Sequence, residues 1–173
     1  SQTMVDIIAS RFLQTGNDND IYDWVNNVFG QPWGDHSYNT LLDPSTNDIH
    51  ILLFDIDADD STNGGIVGFF WAKDNYIQDT SDQYLATSNE RLMFYLDSVL
   101  LATPDVIGSW DISHYWPNTM LSALAHEFQH MIHFYEKSIV QNALSETWLN
   151  EMCSEVAEDL VANKLSTYGP RGV

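Results

Sequence analysis

Residues 124–137 read LAHEFQHMIHFYEK, a run in which His126, Glu127, His130 and His133 interrupt apolar side chains at helical spacing. Ionisable groups in an apolar helix are expensive unless something satisfies them. His126 and His130 are four residues apart, so their rings leave one face with Cβ atoms about 5–6 Å apart, and both can reach one ion. Zinc, held at about 2.0–2.1 Å from each nitrogen, suits that geometry. Glu127 lies roughly 100° around the helix from His126, off the ligand face yet within reach of a water on the metal, which is the place of a general base. His133 sits one further turn along, too far for the same tetrahedral ion, and is expected to be a packed histidine.

A third ligand has to come from another segment. Residues 146–159 read ETWLNEMCSEVAED, with Glu151 and Glu155 four apart on one helical face and Glu158 close by. One reading is a solvated acidic face. The other has Glu151 completing a His, His, Glu set with the fourth position left for water, while Glu155 accepts a hydrogen bond from the outer nitrogen of a ligand histidine and fixes its tautomer. The bulk of Trp148, Leu149 and Met152 around Glu151 predicts a buried side and favours the second.

Outward from these two motifs the chain punctuates itself. Helical spacing over 4–14 and 20–29, split by the polar turn TGNDN, predicts two short opening helices. DIHILLFDI (48–56), GIVGFFWA (65–72) and RLMFYLDSV (91–99) are rich in β-branched and aromatic residues and predict three strands. The second of these is a candidate edge strand for an extended peptide, with a plain core strand as the alternative. Two long helices are predicted from Asn118 to Lys137 and from Glu146 to Lys164, with Asn118 and Ser145 as caps. His114 and Tyr115, just before the first, are expected to serve local packing and capping.

The chain has 173 residues, which suits one α+β domain with a sizeable core. Its 25 Asp plus Glu against 6 Lys plus Arg give a formal charge of −19, a field that repels nucleic acid and anionic membrane surfaces. No apolar run approaches the roughly 20 residues of a membrane helix, so membrane insertion is not expected. The single Cys153 excludes an internal disulfide. High acidity with few lysines points to a secreted or cell-surface protein. Asp55, Asp57 and Asp59 are spaced like the oxygen ligands of a calcium loop, but Asp60 and Ile66 stand where such a loop has glycine and a bidentate Glu, so an acidic turn is the expectation and calcium the alternative.

HEFQH followed after nineteen residues by NEMCSE resembles the glutamate-zincin metallopeptidases. DIDADDSTNGGIVGFFWAKD, SNERLMFYLD, AHEFQHMIHF and WLNEMCSEVAED, taken in order, are similar to the hyicolysin-like family of zinc peptidases. The resemblance implies a zincin-like fold, a small mixed twisted sheet packed on an active-site helix with a glutamate helix crossing it, and an edge strand that binds the peptide substrate. It implies His126, His130 and Glu151 as zinc ligands, Glu127 as catalyst and Glu155 beside a ligand histidine. It also implies one catalytic domain over 1–173, belonging to a longer chain whose C-terminal subdomain is largely absent here, with Tyr168 the one downstream donor toward an oxyanion. The function expected is a zinc endopeptidase working through a metal-activated water. A zincin-fold binding protein without turnover is the first rival. A carboxylate-bridged di-iron protein is the second, although no second E-x-x-H unit accompanies EFQH.

Overall fold

The computed structural model describes residues 1–58, 65–167, 169 and 170. The opening periodicities become α1 (Gln2–Phe12) and α2 (Ile21–Phe29). Asp20 caps α2 by accepting from the backbone of Asp23 at 2.9 Å. The three predicted strands form β1 (Ile49–Phe54), β2 (Gly68–Phe70) and β3 (Leu92–Asp97). Spatial order is β1-β3-β2, with β1 parallel and β2 antiparallel to β3, so the sheet is small and mixed. β3 is buried along its whole length, as a central strand must be, whereas β1 alternates, turning Ile49, Ile51 and Leu53 inward and leaving His50, Leu52 and Phe54 exposed.

Two strand predictions ran too long. β2 keeps only three residues, because Ile66 is drawn instead to the Asp57 carboxylate, 3.3 Å from its backbone nitrogen. After Asp97 the chain turns into a short helix, α3 (Ser98–Ala102), capped by the Asp97 carboxylate accepting from Leu100 N at 2.7 Å.

The motif-bearing helix, α4 (Tyr115–His133), starts three residues before the expected cap. Asn118 is inside it and its backbone donates to His114 O at 2.8 Å. Pro117 in the first turn is no obstacle, because the first N–H groups of a helix have no partner within it. Asp105 takes over part of the capping, accepting from Tyr115 N at 3.0 Å. His114 holds the N-cap position and its Nδ1 accepts from Asp111 N, so it serves local structure. Beyond His133 the helix does not run on as α to Lys137 but widens into a π-turn segment over Phe134–Val140. Side chains there are tied to the chain after α2, with Tyr135 Oη donating to Asp35 O at 3.1 Å and Glu136 accepting from Gln31 N at 2.8 Å. The glutamate helix, α5 (Thr147–Leu165), takes Glu146 rather than Ser145 as its N-cap.

α4 is the centre of the molecule. Met120, Leu124, Phe128, Met131 and Ile132 are essentially inaccessible, and Phe128 packs edge-on against Phe12 at 5.0 Å and stacks with Tyr22 at 5.3 Å. Burying side chains of this size stabilises by about 1.5–3 kcal/mol each. The sheet covers one side of α4 through Phe94 and Leu96, and α5 lies along another. His126 meets Glu158 while His130 meets Asn150, so α5 runs antiparallel to α4. No helix among the described residues is long and apolar enough to cross a membrane.

Candidate active site

α4 presents His126 and His130 from successive turns, with ring centroids 4.7 Å apart. α5 brings Glu151 up to both, placing Oε2 at 3.4 Å from His126 Nε2 and 3.6 Å from His130 Nε2. Two atoms each about 2.0–2.1 Å from one ion at the tetrahedral angle lie about 3.4 Å apart, so the three donors are spaced as a tetrahedral ion requires. Among the described residues these three form a group able to hold a metal, and a neighbouring group consists of His126, Glu155 and Glu158.

Ring orientation is set from behind. Glu158 Oε1 lies 2.6 Å from His126 Nδ1, and a carboxylate accepts, so the proton sits on Nδ1 and the Nε2 lone pair faces Glu151. Asn150 Oδ1 does the same for His130 Nδ1 at 3.1 Å. Ser154 Oγ rests against the His130 ring, 3.1 and 3.4 Å from its two nitrogens, while donating to Gln129 Oε1 at 2.7 Å. The outer-nitrogen role expected of Glu155 therefore belongs to Glu158. On antiparallel helices His126 faces the residue a turn beyond 155, and Glu155 is left exposed on the site's rim. Neither Asn150 nor Glu158 has a role in the sequence reading, although Glu158 lies two turns along the helix from Glu151 and Asn150 is its immediate neighbour.

The bulk around Glu151 does not mark a buried side. Trp148 is 65% and Met152 48% exposed, and the Glu151 side chain itself is 52% exposed. They belong to the open lip of the site, where an incoming molecule has access to the donors.

Glu127 is 6% exposed and off the ligand face. Burial pushes its carboxyl up to about 7, against the opposing pull of His126 and of a backbone hydrogen bond from Phe70 on β2. Burial opposes protonation of His126, but Glu158, Glu127 and Glu151 outweigh it and raise its pKa, while burial and the His126 charge lower that of His130. A neutral His130 is ready to ligate.

β2 is an edge strand, and its register shows what it offers. Asp97 N donates to Val67 O at 2.9 Å and Phe69 stands opposite Tyr95, so the alternation of antiparallel pairing turns the backbone groups of Gly68 and Phe70 away from β3, toward the open edge. A cavity of about 260 Å³ opens there between Val67 and Gly68 on one side and Thr119, Ser122 and Ala123 on the other, reaching His126 and Glu127. The larger groove, about 790 Å³ between α1 and β1, contains none of the site residues.

His133 is not brought to the site. It lies with Phe29, Lys137 and Cys153 around a separate hollow, and its Nε2 has no hydrogen-bond partner among the described residues. Tyr168 and Asp59 lie outside the described residues. The calcium expectation at Asp55, Asp57 and Asp59 lies partly outside with them; Asp57 is engaged in holding Ile66.

Two histidines and a carboxylate converge on one point beside a buried glutamate, at the open edge of a sheet, and the three could hold the metal of a metallopeptidase. Residues 1–170 match the family described as Peptidase M30, and the chain belongs to that family. No curated protein and no solved structure matches it significantly. Peptides or proteins are the substrates of such an enzyme.

Proposed function

We propose that the chain is a zinc-dependent endopeptidase of zincin-like fold in the glutamate-zincin class, with His126, His130 and Glu151 as ligands and Glu127 as general base. The observation that carries this is the 3.4 and 3.6 Å spacing of Glu151 from the two ring nitrogens, with Glu127 buried alongside. Zinc held by these residues supplies Lewis acidity, polarising the scissile carbonyl and bringing a water within reach of deprotonation near neutral pH. Glu127 takes that proton at its carboxylate and then returns it to the departing amine. Its burial raises its affinity for that proton. The outward backbone groups of β2 align an extended peptide across the cleft, and main-chain pairing of this kind accepts many sequences. On this reading the acid-rich, lysine-poor chain acts outside the cell.

Zinc content of the purified protein, measured beside cleavage of a casein-type substrate, tests the proposal. One equivalent of zinc, activity abolished by chelator and activity restored by added zinc are expected. A fully metallated protein that cleaves nothing would instead make it a binding protein, and iron in place of zinc would move it to the di-iron class.

A further inference from the structure

Gly68 is an odd residue for its place. Inside a strand, glycine forfeits side-chain packing and backbone order, and it persists where a turn needs it or where something approaches closely. No turn needs it here, since Gly68 is not among the residues of positive φ and pairs in regular register with Leu96. Close approach is what the surroundings show. A Cβ on Gly68 would fall 2.7 Å from the backbone oxygen of Tyr95, 2.9 Å from Leu96 Cδ2 and 3.2 Å from Glu127 Cγ. Phe69 stacks on Tyr95 on the outer face of the sheet, so the side-chain direction of residue 68 is inward, at α4. The nearest obstacle is the Tyr95 backbone of β3, and the stem of Glu127 closes in on the same space, 3.2 Å from where a side chain would start.

From this we infer that Gly68 is a positioning residue for the general base. Its missing side chain admits Glu127 to the edge of β2. The inference rests on the assignment of Glu127 as base and adds a second requirement to it: the base is aimed by the strand as well as by its own helix. One element thereby fixes both partners of the proton transfer, since the edge that aligns the peptide also aims the group that serves it.

The test is a double-mutant cycle between positions 68 and 127, read as kcat, KM and zinc affinity. Gly68→Ala is expected to lower kcat about 10²-fold, the scale of a misplacement of about 1 Å at a reacting group, with KM and zinc affinity within a few-fold of wild type. A methyl group pointing at α4 touches neither the open edge nor the ligands. Glu127→Gln leaves no base to misaim, so Gly68→Ala is expected to cost several-fold less of the residual kcat in that background than in wild type. Should Gly68→Ala fold poorly, the same cycle is run on Leu96→Ala protein, which clears the other side chain in the way. Equal cost of Gly68→Ala in both backgrounds, or wild-type kcat in Gly68→Ala, overturns the inference. Failure of the underlying assignment would look different, because Glu127→Gln would then retain activity with Gly68 intact.

Discussion

Glu127 and its neighbours separate binding from chemistry one side chain at a time. Glu127→Gln removes the base without touching a ligand, so it is expected to keep its zinc while losing about 10²–10⁴ in rate. Metal analysis beside turnover decides it, and normal hydrolysis by the metallated mutant would end the assignment. Glu158→Gln is expected to weaken zinc about 10–100-fold, because it replaces the carboxylate on His126 Nδ1, whereas Glu155→Gln alters only an exposed rim carboxylate and stays near wild type. Competitive zinc titration of the pair checks the order, and the reverse would return the outer-nitrogen role to Glu155. At this scale the sequence was legible wherever spacing along one helix does the work, as in the shared face that brings the His126 and His130 rings together. It was ambiguous wherever the answer depends on how two helices meet. Glu155 and Glu158 differ by less than a turn, and only the offset between α4 and α5 tells which faces His126.

Elements were legible to the extent that their side chains declare a period. The long helices and the three strands carry theirs openly. The end of α4 does not, since FYEKSIV contains neither Gly nor Pro and the π segment arises from distant ties to Asp35 and Gln31. Likewise α3 is too short to show a period and is set by the Asp97 cap. α4 nevertheless remains α-helical through His133, which keeps that ring a turn beyond the ion site. His133→Gln is therefore expected to retain wild-type zinc stoichiometry, with His126→Gln and His130→Gln losing it. Metal loss in His133→Gln, with Glu151→Ala still metallated, would relocate the third ligand.

For the molecule as a whole, metal binding and folding share one interface. The proposed ligands come from α4 and α5, and a metal that binds only the folded chain stabilises it by mass action, about 2.7 kcal/mol at a free concentration 100 times the dissociation constant. Chelation is expected to lower the melting temperature by several degrees, and zinc is expected to restore it, both visible by calorimetry. An unchanged melt in a protein shown to bind zinc would mean that the unfolded chain holds the ion equally well. Charge was legible from composition and the gathering of Glu151, Glu155 and Glu158 from their spacing on one helix, but their place beside buried Glu127 was not, since it depends on how α5 meets α4.

The antiparallel seam of α4 and α5 makes the ion site a vernier. A slip of one residue along either helix is about 1.5 Å of travel, while metal–ligand distances tolerate only about 0.2 Å, so the donors coincide at one setting of the two scales and at no neighbouring one. Ala157 is fully buried on α5 within the core and is not one of the donors. Ala157→Leu forces extra volume between packed elements, an overpacking that costs about 1–3 kcal/mol and leaves folding within reach. The expected signature is a protein that is folded by circular dichroism yet has lost most of its zinc affinity, all of its donor atoms still being present; unaltered affinity in that variant would show that the scales can slide without losing the mark.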